Sequence, residues 1–351
     1  MSDDQAPRPE RSEKLRATDE ITEVGPGVLR SQLPIDLPGL GHVNCYFLED
    51  ERGVAVVDPG LPNEESWAAL QQRLGAAGYK TTDVHTVVVT HSHFDHFGGS
   101  ERLRDAAGSE ILTHESFSKF TDGDVDEFRE YDPDDDEDVA PWDRDPITPW
   151  GTERGQPPLE LTQKWNSPER QWMRTPNPNL RVADGEVVRL ARREWIAIHT
   201  PGHTHDHLCL FDPVEQIMLS GDHVLPTITP HISGMTETDD PLADFFSSLE
   251  RMKAFDARIV LPAHGNPFTD LGERAGDILE HHEERLDTIR EAAESGEKAT
   301  VTDYMRSLFR ERSWGYMAES ETYAHLMHLQ HTGELKRDLA DGLTTFTPQQ
   351  G

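Results

Sequence analysis

The segment His91-Ser92-His93-Phe94-Asp95-His96 places three imidazoles and a carboxylate within six residues, directly after the apolar run Val87-Val88-Val89. A strand ending in such a segment delivers several metal ligands to one point from one short turn. His91 and His93 lie two residues apart, so in extended backbone they project to the same side. Asp95 and His96 follow where the chain must bend, which turns them toward a second ion. Neutral imidazole with a carboxylate suits zinc or a similar borderline metal. A polar, His-rich surface loop has the same composition, but distant partners of the right kind argue against it. His203 lies in Thr200-Pro201-Gly202-His203-Thr204, Asp222 in Leu219-Ser220-Gly221-Asp222-His223, and His264 in Leu261-Pro262-Ala263-His264-Gly265. Each follows an apolar run that reads as a strand, and Gly, Pro or both flank it, so each is expected on a tight loop at a strand end. Four such loops can converge on one edge of a sheet, which is how a rigid scaffold carries a metal site.

This dispersed pattern resembles the metallo-β-lactamase-fold hydrolase superfamily over roughly residues 21–270. The resemblance implies an α/β (α+β) chain folded as an αββα sandwich, with a two-metal site at one edge. It implies that His91, His93 and His203 hold the first metal, that Asp95, His96 and His264 hold the second, and that Asp222 bridges the two. Asp58, in Val54-Ala55-Val56-Val57-Asp58-Pro59-Gly60, matches an early strand of the family and would orient a ligand histidine from behind. An Asp before Pro-Gly also suits a plain turn. Zinc β-lactamases of the best-known group carry a cysteine at or near the position of Asp222. Here the two cysteines, Cys45 and Cys209, sit in apolar strand-like runs and read as buried and inert. The resemblance therefore points to the wider hydrolase branch, which includes glyoxalase II-like thioesterases.

Two zinc ions about 3.5–4 Å apart can share a water and lower its pKa toward about 7, which yields a nucleophile without a serine or cysteine. The same ligand set tolerates iron or manganese. Asp95 would be the catalytic carboxylate, ligating a metal and steering the bridging hydroxide. The expected reaction is hydrolysis of a small-molecule thioester, ester or lactone. The alternative is a phosphodiesterase or endoribonuclease of the β-lactamase-like 2 type, and a third reading is a non-catalytic metal-bound regulator. His207, His223 and His231 crowd the same region of sequence as the ligands and are candidates for substrate contact, proton transfer or ligand support. Thr229-Pro230-His231 resembles a stretch flanking the site in related hydrolases. His114, at the end of a predicted strand, reads as a rim or surface residue.

The elements that must position these residues follow from periodicity. Residues 63–77 read as a helix, with Trp67, Leu70 and Leu74 at helical spacing and Gly78 as a stop. Residues 84–89 form the strand feeding the metal motif, residues 98–106 the next helix, and residues 109–114 the next strand. Residues 180–190 read as a hairpin turning at Asp184-Gly185, and residues 244–255 as a helix. Residues 115–180 break the rhythm. Asp122 to Asp145 carries 13 acids and two bases, and Trp142, Trp150, Trp165 and Trp172 follow closely. This insertion either packs onto the body or forms a lid over the site. Three helices are expected over residues 277–295, 302–310 and 320–332, then a turn at Asp341-Gly342. That order resembles the winged-helix-like C-terminal module of the β-lactamase-like 2 family.

The expected organisation is a disordered tail over residues 1–20, the metallo-β-lactamase-fold domain over 21–275, and the small helical C-terminal domain over 276–351. The 351 residues carry 66 acids against 33 bases, a formal charge of −33, with only seven lysines. Such a surface repels nucleic acid and anionic membrane unless a local basic patch exists. A small-molecule substrate is therefore favoured over nucleic acid as partner. No run of about 18 apolar residues suggests a membrane span, and the N-terminal residues lack the apolar segment of a secretory signal. A cytoplasmic location is expected, and the oligomeric state is left open, a dimer included.

Overall fold

Two β-sheets stack face to face between layers of helices. The computed structural model describes residues 11–117, 147–154, 175–294 and 297–349. The first sheet contains β1 (Thr22–Gly25), β2 (Val28–Leu37), β3 (Leu40–Asp50), β4 (Gly53–Val57), β5 (Val84–Val88), β6 (Glu110–His114) and β7 (Leu180–Val182), side by side in chain order. β1 to β4 run antiparallel, and β4 to β7 are parallel. The second sheet contains β8 (Val187–Leu190), β9 (Arg193–His199), β10 (Leu208–Asp212), β11 (Ile217–Gly221) and β12 (Ile259–Pro262), in the order β12-β11-β10-β9-β8. Its strands are antiparallel except for β11 and β12. β13 (Ala299–Thr300), β14 (Leu335–Ala340) and β15 (Leu343–Pro348) form a small third sheet.

The helices are α1 (Glu64–Ala76), α2 (Phe94–Phe97), α3 (Ser100–Ala107), α4 (Pro241–Met252), α5 (Leu271–Ala293), α6 (Val301–Leu308) and α7 (Tyr316–His331). Asn63 caps α1 by accepting the Ser66 N–H at 2.8 Å. No described helix is long and apolar enough to cross a membrane.

Parallel strands buried on both faces read as continuous apolar runs, as β4 does from Val54 to Val57 and β5 at its end, Val87-Val88. Alternate residues of each therefore serve different cores. Ala55, Val57 and Val88 face the second sheet and meet Trp195, Leu210, Leu219 and Leu261 there. Val54, Val56 and Val87 face outward to Leu70 and Leu74 of α1 and Leu103 of α3. On the other side, Cys209, Met218 and Val260 pack under Phe245 and Leu249 of α4 and Ile278 of α5. The result is the expected αββα sandwich. The last of these clusters continues without a break into Tyr304 of α6, Leu326 of α7 and Phe346 of β15. The boundary expected at residue 275 falls inside α5, and the C-terminal helices share their core with the outer face of the second sheet.

Three sequence expectations need correction. Residues 180–190 are not a hairpin: β7 closes the first sheet and β8 opens the second, so Asp184-Gly185 turns the chain from one sheet to the other. The real hairpin joins β8 and β9 through Ala191 and Arg192, both with positive φ (53° and 59°). Residues of that type give no turn signal. The tail is not free to residue 20, because Ser12–Lys14 form a 3-10 turn and the buried Glu13 carboxylate accepts the Thr227 and Ile228 N–H groups. His114 is buried rather than at a rim, with its ring stacked 3.8 Å from that of His199. Burial and then the neighbouring His199 hold it down to about 4.

Trp142, Trp165, Trp172 and the acidic run lie outside the described residues. Trp150 is buried on α7, donating its indole N–H to Glu319 at 3.0 Å, with Tyr323 5.4 Å away ring to ring.

Candidate metal centre

Five strands end at one edge of the sandwich. β4 leads into Asp58, β5 into His91 to His96, β9 into His203, β11 into Asp222 and β12 into His264. The two parallel pairs, β4 with β5 and β11 with β12, point their C-terminal ends to the same side. Cross-sheet bonds lock the His264 loop in place: Asn44 Nδ2 donates to the Pro262 and Gly265 carbonyls, both at 2.8 Å, and Tyr46 Oη donates to Pro262 at 2.7 Å.

The seven residues expected as ligands come together in two groups. His91, His93, His203 and Asp222 form one, and Asp95, His96 and His264 the other, each with its donor atoms within 4.8 Å of one another. In the first group His93 Nδ1 lies 2.9 Å from His91 Nε2 and 3.1 Å from His203 Nε2. Asp222 spans both groups, with Oδ2 3.6 Å from His203 Nε2 and 3.7 Å from His96 Nε2, and Oδ1 3.3 Å from His264 Nε2. Asp95 Oδ2 lies 3.6 Å from His96 Nε2 and 3.4 Å from His264 Nε2.

Surrounding acceptors set the proton of each ring. Asp58 Oδ2 accepts from His96 Nδ1 at 2.9 Å and from the Thr90 hydroxyl at 2.9 Å, and Asp58 Oδ1 accepts the Thr90 N–H. With its own proton committed, Thr90 Oγ1 accepts from His91 Nδ1 at 3.0 Å. The His231 carbonyl accepts from His203 Nδ1 at 2.8 Å, and the His42 carbonyl from His264 Nδ1 at 2.7 Å. Four rings thus commit Nδ1 to an outer acceptor and turn Nε2 inward, where a proton or a metal ion can sit. Lone pairs gathered this closely repel one another unless a cation lies among them. Tetrahedral bonds of about 2.0–2.2 Å set donor atoms about 3.3–3.6 Å apart, which matches the carboxylate–imidazole spacings here. The residues fit divalent metal.

The electrostatics agree. Burial, then the neighbouring His96, holds His91 well below the usual imidazole range, and burial, then His203, does the same to His93. Neutral imidazole is the metal-binding form. In the second group burial opposes protonation of His96, yet Asp95, Asp58 and Asp222 push it up to about 10. Burial likewise works against His264, which Asp222 nevertheless raises. Burial also disfavours ionised Asp222, but His264 and His96 hold it well below the carboxylate range. Three carboxylates around two rings demand positive charge, which a proton or a metal ion satisfies.

The supporting candidates divide. Asp58 holds His96 Nδ1 from behind the two groups, at 2.9 Å. His207 is buried and fully engaged: its Nε2 accepts the Asp222 N–H at 3.0 Å and its Nδ1 meets Thr200 Oγ1 at 2.7 Å, so it sets the Asp222 backbone and has no nitrogen left for substrate. Gly221 makes room for it, since a Cβ there would sit 2.6 Å from His207 Nε2. His223 is wholly buried, edge-on to Phe245 at 5.1 Å, and burial holds it down to about 3. Neither ring is exposed to solvent. His231 is a quarter exposed beside the first group and has Nδ1 3.4 Å from Glu321 Oε2. Sequence reasoning missed Thr90, which ties Asp58 to two rings, and the carbonyls of His42 and His231. Backbone acceptors leave no mark in residue type.

Such a site at the edge of an αββα sandwich defines a class of metallohydrolases. The profile of the metallo-beta-lactamase superfamily matches residues 38–264, and the chain belongs to that family. It is a metal-dependent hydrolase. It is 25% identical over 283 residues to the beta-lactamase-like protein 2 homolog of Caenorhabditis elegans, a match covering 80% of this chain and 74% of that one. It is 30% identical over 135 residues to an atrochrysone carboxyl ACP thioesterase of Aspergillus novofumigatus, covering 37% of this chain and only 38% of the thioesterase. The crystal structure of a beta-lactamase domain protein from Burkholderia ambifaria superposes with a TM-score of 0.76 at 25% identity, over 95% of this chain and 96% of the other.

Proposed function

We propose that this enzyme hydrolyses a thioester, ester or lactone of a small molecule at a binuclear centre. His91, His93 and His203 hold one ion, Asp95, His96 and His264 the other, and Asp222 links them. Zinc suits the donor set best, with iron or manganese as substitutes. The observation that carries the reading is the convergence of five imidazoles and two carboxylates in two adjoining groups. When bound, a pair of divalent ions supplies an acidified water and an electrophilic pull on the scissile carbonyl. The chain's own residues set the stage for that chemistry. Asp58, Thr90 and the two carbonyls keep the rings in one tautomer, and burial of the donors removes competing water. Asp95 turns Oδ2 toward His96 and His264, which leaves Oδ1 to accept a proton from the attacking water.

Two features support an acyl substrate: the thioesterase named among the relatives, and a formal charge of −33 that opposes a polyanionic backbone. The test is turnover of an acyl-thioester beside a phosphodiester by zinc-loaded protein. Thioester cleavage is expected, and Asp95→Ala should lower it by about 10²–10⁴-fold, the usual reach of a general base. Cleavage of the phosphodiester alone would overturn the substrate class.

A further inference from the structure

The segment between β11 and α4 lies between the metal centre and α7. Its His231 carbonyl sets the proton of the ligand His203, at 2.8 Å from Nδ1. Two residues of α7 grip the same segment from behind. Ser320 accepts the Gly234 N–H through its carbonyl (3.1 Å) and its hydroxyl (3.2 Å), and that hydroxyl also meets Ser233 Oγ at 3.2 Å. A Cβ on Gly234 would sit 2.7 Å from the Ser320 carbonyl oxygen, so only glycine allows this closeness. Glu321 reaches His231 Nδ1 at 3.4 Å with Oε2 and pairs with Arg285 of α5 through Oε1.

A carboxylate with only 13% of its side chain exposed, as in Glu321, is costly to keep unless its partners are well placed. Hydrophobic groups of similar volume would often join two helices as well or better. A plain helix contact therefore does not account for Glu321, whereas fixing an imidazole beside the site does. From this geometry we infer that α7 is part of the metal centre: Ser320 and Glu321 are positioning residues that hold residues 231–234 so that His203 presents Nε2 to the first ion. The inference rests on the binuclear reading above, and it assigns the C-terminal helices a role in metal affinity rather than in substrate choice.

Partners that orient a ligand histidine are worth about 10–100-fold in metal affinity. Full-length Glu321→Gln and Gly234→Ala should each weaken one of the two zinc-binding steps by about tenfold or more and spare the other, read by competition with a chromophoric chelator. In a His203→Asn background neither substitution should weaken zinc further, because the residue through which they act is gone. A purely structural role predicts otherwise. Unfolding in excess chelator would then fall while both zinc steps held, or the losses would add fully to that of His203→Asn; either result overturns the inference. The substrate reading is judged separately: wild type that binds two zinc ions but leaves thioesters intact refutes that reading and does not touch the cycle.

Discussion

Replacing Asp58 by asparagine changes one oxygen to an amide nitrogen, yet it should disable a ligand on each metal. Asp58 Oδ1 accepts the Thr90 N–H at 2.9 Å, which fixes which end of the asparagine remains an oxygen. The new NH2 then faces Thr90 Oγ1 and His96 Nδ1, each 2.9 Å from the replaced oxygen. Two donors cannot face each other, so His96 must surrender its Nδ1 hydrogen and carry it on Nε2. Thr90 now accepts from the amide, and its own proton turns to His91 Nδ1, 3.0 Å away, with the same consequence there. Each ring that turns an N–H inward loses its lone pair for the metal. At about 10–100-fold per misdirected ligand, each site should lose about 1.4–2.8 kcal/mol.

Alanine makes the contrast. It removes the acceptor without inserting a donor, so both rings remain able to ligate. Asp58 has φ +54°, however, a conformation that asparagine tolerates and that costs alanine about 1–2 kcal/mol. Asp58→Asn should therefore bind zinc more weakly than Asp58→Ala while unfolding at a higher temperature in excess chelator. Stepwise competition with a chromophoric chelator gives the first ranking, and thermal unfolding of chelated protein the second. Zinc binding by Asp58→Asn at wild-type strength, or weaker binding by the alanine variant, would refute the tautomer argument.

Two further outcomes follow from groups outside the ligand shell. Glu13 is buried and accepts three hydrogen bonds from Thr227 and Ile228, so Glu13→Ala should cost about 2–3 kcal/mol in chemical unfolding; an unchanged midpoint would mean that residues 11–15 do not brace the loop after Asp222. His325 is buried between α5 and α7, faced by Glu321, Arg285, His281 and His282, and burial holds it down to about 4 against an ordinary 6.5. The unfolded chain thus takes a proton first as pH falls, so stability present above pH 6.5 is lost between about 6.5 and 4, by up to about 3 kcal/mol. His325→Gln in excess chelator should show a correspondingly smaller loss between pH 6.5 and 4.5, and equal slopes for the two proteins would refute the assignment.

The candidate ligands were legible because metal binding demands particular side chains at strand ends, and His91-Ser92-His93-Phe94-Asp95-His96 supplies four such residues in one segment. The sandwich was legible through the resemblance that these motifs carry, since the dispersed His and Asp pattern implies its fold along with its site. What the sequence hid is whatever depends on backbone atoms or on pairs remote in the chain. His203 is oriented by the carbonyl of His231 and His264 by that of His42, and any residue type supplies a carbonyl. The sheet change at residues 183–186 was hidden because Asp184-Gly185 makes a good turn for either topology. The Ala191-Arg192 hairpin was hidden because its positive φ values are imposed by the strands on either side.

The segment from Asp222 to α4 shows why such remote pairs exist. It has no regular structure, so its backbone N–H groups need acceptors from elsewhere, and it must still hold a carbonyl in register with His203. Two carboxylates far apart in the chain, one buried and one largely covered, do this. Glu13 takes the N–H groups of Thr227 and Ile228, and Glu321 takes the ring of His231. Each carboxylate meets a desolvation cost that its bonds must offset, which ties the order of the loop to the presence of both partners. The edge of the sandwich supplies the candidate ligands, and on the inference drawn above, segments outside the sandwich determine how rigidly one of them is aimed.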